Sequence, residues 1–199
     1  DTSTNMPWYN QGTLRQVLEG IEIGNDHNLI DPRFPVQYVI RPLSDEFHDY
    51  RGYAGRVAGG IFSPGDKVLV LPSMQESTIS AIDLYKNKAG SAFAPMSVTL
   101  TLTDDIDISR GDMLVKPDNI PQITQDLDIM ICWMNEKPLQ VNGKYAVKHT
   151  TREVRCIVKE VKYKVNVNNL ERIEGDIKVG LNDIAAVSIR TTKPLFTDP

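Results

Sequence analysis

The chain has 199 residues, of which 41% are hydrophobic and 24% charged, enough apolar material for one large domain or two small ones. Lys and Arg number 22 against 26 Asp and Glu, for a net charge of −4; this disfavours a broad phosphate-neutralising face and nucleic-acid binding with it. The longest apolar runs, such as Asp128-Ile-Met-Ile-Cys-Trp-Met134, are too short for a membrane-spanning helix.

Val, Ile and Thr make up 48 of the residues, so strands are expected to dominate. The opening Asp1-Thr-Ser-Thr-Asn5 has neither an initiator Met nor a basic-then-apolar leader, and the expectation is a fragment of something longer. Residues 1–30 contain the one helical pattern. Thr13 and Gln16 form a capping pair, and Leu14, Val17, Leu18 and Ile21 recur at helical spacing, with Gly24 as the stop. This helix is expected to be the tail of a further domain or a local cap on the strands beyond it.

From Pro35 onwards the pattern is strand and turn. Strands are expected over 36–40, over a long glycine-rich stretch from Arg51 to Phe62, and over 67–71 and 77–84. Residues 97–103 alternate, with Val98, Leu100 and Leu102 opposite three threonines, and 113–115 come after a turn. Six short strands with no helix between them predict a closed barrel, because closure removes exposed edges. Lys116-Pro-Asp-Asn-Ile-Pro121 marks a second boundary. Beyond it, strands are expected over 125–134, 144–149, 155–167, 176–179 and 184–190, with Val161, Tyr163, Val165 and Val167 sharing one face. The fold class is therefore all-β, with two consecutive barrels behind a short N-terminal helix. The divisions fall at 1–30 (helix and linker), 31–117 (first barrel) and 118–199 (second barrel).

Catalytic chemistry is hard to find in this stretch. No Gly-x-x-x-x-Gly-Lys-Ser/Thr phosphate loop is present, and the glycines from Gly52 to Gly60 read as bulge positions. His27, His48 and His149 are dispersed without metal-ligand spacing, and no Gly-x-Ser-x-Gly elbow occurs. Asp104, Asp105 and Asp107 lack the Gly and Glu of a calcium loop, and the Arg110-Gly-Asp112 tripeptide reads as a turn. Cys132 and Cys156 are expected to be free thiols in a reducing compartment. Lys148-His-Thr-Thr-Arg152 is a polar cluster between apolar strands, either a partner-contact patch or a hairpin end.

Phe34-Pro-Val-Gln-Tyr-Val-Ile-Arg-Pro42, Arg51-Gly-Tyr-Ala-Gly-Arg56 and Pro64-Gly-Asp66 resemble the second domain of translation-factor-type GTPases. Asp105-Ile-Asp-Ile-Ser-Arg-Gly-Asp-Met-Leu-Val115, Cys132-Trp-Met134 with Pro138-Leu139, and Lys148-His149 with Thr151-Arg152 and Val154-Arg155 are more specific. They resemble the large, GTPase-type subunits of bacterial ATP sulfate adenylyltransferase, and the resemblance covers essentially the whole chain. It implies a G domain ahead of the two barrels, in the cytoplasm, and a small catalytic subunit that makes adenylyl sulfate from ATP and sulfate. It implies no catalytic, cofactor-binding or metal residues in this stretch, since GTP and magnesium belong to the G domain. Expected partners are the small subunit and the chain's own G domain, with no nucleic acid and no membrane. Arg152, His149 and Lys148, then Arg51 and Arg56, are the candidate contact residues, since arginine binds a carboxylate through two hydrogen bonds. The alternative is a barrel pair of an elongation-factor-like GTPase that binds tRNA or the ribosome.

Overall fold

Thr13 starts helix α1 (Leu14–Gly20) through a complete capping box. The Gln16 amide donates to Thr13 Oγ1 at 3.3 Å, and the Thr13 amide donates to Gln16 Oε1 at 2.8 Å. Two otherwise orphaned donors are thereby satisfied, as the sequence pattern requires. Ile21 leaves the helix with extended backbone. The predicted stop at Gly24 lies outside the residues described in this computed structural model, which are 5, 8, 9, 12–21, 27–42, 50–175 and 178–198. No residue of α1 is buried, so Leu14, Val17 and Leu18 present their apolar stripe to solvent.

The first unit is built from β1 (Arg33–Ile40), β2 (Gly52–Arg56), β3 (Ile61–Phe62), β4 (Lys67–Leu71), β5 (Gln75–Leu84), β6 (Asn87–Lys88), β7 (Ala92–Phe93), β8 (Ser97–Leu102) and β9 (Met113–Val115). Its sheet runs β4-β9-β1-β2-β8-β5, and β5 pairs back onto β4, which closes a six-stranded antiparallel barrel. β6 extends β5, and β3 pairs with β7 outside the ring. The interior is filled by Phe34, Val36, Tyr53, Phe62, Val68, Val70, Ile79, Ile82, Leu100 and Leu114. Each large apolar side chain taken fully from water contributes about 1.5–3 kcal/mol.

The expected single strand from Arg51 to Phe62 is broken. Gly60 has φ +65, and a Cβ there would lie 2.4 Å from Pro32 Cα. Its amide donates to Asn28 O at 2.7 Å, and Arg33 N donates to Gly59 O at 3.0 Å. The 28–33 segment is therefore pressed onto Gly59-Gly60, and the chain turns there instead of running on.

The second unit comprises β10 (Gln122–Cys132), β11 (Lys144–His149), β12 (Arg152–Val165), β13 (Arg172–Ile173) and β14 (Ile184–Thr197). Among the described residues the ladder runs β10-β14-β12-β11, with β13 on β12, and no ladder joins its two ends. Loop backbone covers the core there: Leu139 N donates to Val179 O and Trp133 N to Asp183 O, both at 2.9 Å. Leu139, Cys156, Val158, Ala185, Val187 and Ile189 are buried inside.

The strand expected over 155–167 contains a register shift between Val161 and Tyr163. Val161 opposes the buried Val187 and packs on the core, whereas Tyr163 opposes Ala186 on the other face. The bulge therefore separates residues that simple alternation would have put together. The strand expected over 176–179 falls partly outside the described residues, and Lys178 and Val179 are not in a strand.

Candidate functional site at the junction of the two units

The β11–β12 hairpin closes on the two residues Thr150 and Thr151, with His149 opposite Arg152. Thr150 has φ 52, an unusual conformation for a β-branched side chain, and its hydroxyl donates to His149 O at 2.7 Å. This tip abuts the turn from Ser109 to Asp112 in the first unit. Asp112 N donates to Ser109 O at 3.1 Å, and Asp112 Oδ2 accepts from Ser109 N at 2.9 Å. Gly111 has φ +95, and a Cβ there would sit 3.4 Å from Arg152 Cα. The tripeptide read as a turn is one, and it forms the floor under the hairpin.

Arg152 is half-buried in this contact, its guanidinium 5.0 Å from the centroid of the Phe196 ring. Phe196 completes an apolar seam with Leu69, Leu71, Met113 and Val115. β4 and β9 of the first unit therefore pack on the end of β14 of the second. Burial pushes the Asp112 carboxyl up, and the Arg152 charge opposes that shift. Burial pushes the His149 imidazole down, and the Asp198 charge opposes it.

Arg33 locks the seam. Its Nη2 is 2.6 Å from Asp198 Oδ1 and its Nε is 3.0 Å from Asp198 Oδ2, with Asn119 O accepting from Nη1 and Asn119 Oδ1 from Nη2, both at 2.8 Å. Asn119 in turn donates to Asp31, whose carboxyl is held below its usual value by the Asn28 and Asn119 side chains. One buried cation thus ties the start of β1, the connector and the end of β14 together.

The five sequence candidates divide between two places. His149 and Arg152 meet at the junction, and Lys148 is exposed on the neighbouring strand position. Arg56 reaches the same region: with Thr150, Thr151, His27 and Gln37 it lines a 330 Å³ cleft between the units. Arg51 lies apart, at a 590 Å³ cavity in the first unit shared with Arg41, Tyr50, Lys88, Asp104 and Asp105. There it is ion-paired to Asp105 and donates to Ile106 O at 2.8 Å. His27 is exposed, and His48 lies outside the described residues. Arg33, Asn119, Phe196 and Asp198 escaped sequence reasoning, because no local pattern announces a bond between positions so far apart.

The comparisons give the architecture a lineage. The family model for GTP-eEF1A C-terminal domain-like sequences matches residues 126–199. Sulfate adenylyltransferase subunit 1 of Bacteroides thetaiotaomicron is 44% identical over 207 residues, covering 100% of this chain and 42% of that protein. Over its whole length the chain is similar to proteins named sulfate adenylyltransferase subunit 1. The bifunctional enzyme CysN/CysC of Mycobacterium tuberculosis is 45% identical over 197 residues, covering 98% of this chain and 32% of that protein. The chain therefore spans less than half the length of these relatives. Among solved structures, Sup35 complexed with GDP superimposes with a TM-score of 0.75 at 16% identity, over 96% of this chain and 46% of that one. That likeness shows the fold, a translation-factor-type barrel pair.

Proposed function

We propose that this chain is the non-catalytic barrel pair of the GTP-dependent subunit of sulfate adenylyltransferase. The complete complex joins ATP and sulfate into adenylyl sulfate and draws on GTP hydrolysis for that unfavourable step. The observation that carries this reading is the identity of 44–45% along the whole chain to proteins of that family. Their designation as subunit 1 supports a second, catalytic subunit as partner. The solvent-facing apolar stripe of α1 supports a preceding G domain of the same protein that covers it and holds GTP and magnesium. The sequence has no phosphate loop, so no nucleotide step is assigned to these residues. The setting is the cytoplasm, without nucleic acid or membrane.

In this role the barrels transmit a nucleotide-dependent arrangement. Lys148 and Arg56 are exposed and suited to touch the small subunit. His149 and Arg152 act from within the junction by fixing how the second unit sits on the first. Arg51 presents its pair with Asp105 at the barrel cavity as a further contact. The elongation-factor reading rests on neighbours that share the fold at 16% identity and is not favoured.

The test is an assay of the complete protein mixed with the small subunit, supplied with ATP and sulfate, with and without GTP. Adenylyl sulfate formation that GTP raises supports the reading; formation indifferent to GTP, or none, contradicts it.

A further inference from the structure

The cleft between the units has a chemistry that a subunit contact through Arg56 does not account for. Its walls come from both units and from the segment ahead of β1. Gln37, Arg56, Val57 and Pro95 belong to the first unit, Thr150 and Thr151 to the hairpin tip of the second, and His27 to the segment ahead of β1. No carboxylate is among these lining residues. The other cavity differs in this respect, for its cations Arg51 and Lys88 are matched by Asp105 and Asp83.

Arg56 donates Nε to Pro95 O at 3.1 Å, and no carboxylate among the described residues pairs with it. Thr151 is only 9% exposed, and its Oγ1 is buried without a hydrogen-bond partner among the described residues. So is Nη1 of the adjoining Arg152. Unsatisfied buried donors are costly and uncommon. Thr151 lines the cleft together with Arg56, so a buried hydroxyl without an acceptor and an arginine without a carboxylate share its walls.

We propose that this cleft binds a tetrahedral oxyanion, sulfate or phosphate, free or as the phosphoryl group of a larger ligand. The Arg56 guanidinium supplies the charge and a planar fork of donors. Thr151, with a small rotation of its side chain, supplies a hydroxyl from the opposite unit, and the Gln37 amide supplies a third donor. Donors drawn from three segments suit an anion with oxygens on all sides better than a flat carboxylate. The occupied cleft bridges both units, so the anion fastens the junction. The oxyanion site stands apart from the family role: the enzyme activity survives its failure.

The test is nuclear magnetic resonance titration of the chain with inorganic phosphate and, separately, sulfate, at ionic strength held constant with chloride. The expected result is saturable shifts of the Arg56, Val57, Thr150 and Thr151 amides, with those of Lys162 unmoved. Arg56→Gln should weaken binding at least tenfold. Thr151→Val should weaken it several-fold while leaving the melting temperature unchanged or higher, since the hydroxyl has no hydrogen-bond partner among the described residues. A parallel titration with AMP separates the sources: tighter binding than phosphate marks a larger ligand, and equal or weaker binding marks the free ion. Absence of saturation at these amides, unchanged binding in Arg56→Gln, or an equal loss in Lys148→Gln would overturn the proposal.

Discussion

Arg33 and Asp198 stand 165 positions apart and meet at 2.6 Å across the junction. The arginine side chain is 7% exposed and the carboxylate 39%, so solvent screens the pair only in part. Replacing Asp198 with Ala leaves a buried guanidinium supported by the Pro32 carbonyl and by the backbone carbonyl and Oδ1 of Asn119, with no countercharge. The expected cost is about 2 kcal/mol, with the midpoint of urea unfolding falling accordingly. Small-angle scattering should show a wider spread of distances between the units. An unchanged midpoint would assign the seam's strength to Phe196 and its apolar neighbours instead.

Gly60 is expected to tolerate no side chain. Gly60→Ala places a methyl group against Pro32 backbone atoms at a positive φ, for a loss on the order of 3 kcal/mol. Gly65 has φ +91 with open space around it, so Gly65→Ala should cost less. Thermal unfolding of the two variants side by side gives the comparison.

His149 makes the junction sensitive to pH. Its folded-state pKa lies below the ordinary imidazole value of about 6.5, chiefly through burial. As pH falls below that value the unfolded chain takes up a proton that the folded chain refuses, so stability declines towards the folded pKa. Asp112 has the opposite sign, since burial raises its pKa; its contribution is largest at low pH and fades as pH rises above the ordinary carboxylate range. His149→Gln should flatten the decline that begins as pH falls through about 6.5 in denaturation curves. An equal slope in the variant would place the titrating group elsewhere.

Cys132 and Cys156 are expected to remain thiols. Cys132 lies opposite Ile184 and Cys156 opposite Thr191, seven positions along β14 and so roughly 24 Å apart, far beyond disulfide reach. Cys132 is exposed and Cys156 buried, with a thiol pushed up by that burial. A thiol reagent should label one site per folded chain and two per denatured chain.

The legible parts of this molecule were those governed by neighbours in sequence. The capping box at Thr13 and Gln16, the strands at 67–71, 113–115 and 144–149, and the six-stranded closure all arise from local pattern. The break at Gly59-Gly60 was hidden because its cause is Pro32, a partner outside the strand. The Val161 and Tyr163 divergence was hidden because a bulge changes the period without changing residue type. The polar cluster at Lys148–Arg152 was visible, but its division into an exposed lysine and a half-buried arginine depends on Phe196 and Gly111. Resemblance supplied the lineage, which spacing alone could not.

In the proposed role these barrels hold the small catalytic subunit. Biolayer interferometry with the immobilised 199-residue chain and the purified small subunit tests it most directly. The account predicts saturable binding of one small subunit per chain, weakened at least tenfold when Lys148 and Arg56 are both changed to Glu. No binding by a chain whose circular dichroism shows intact strands, alongside normal assembly of the complete protein, would contradict it.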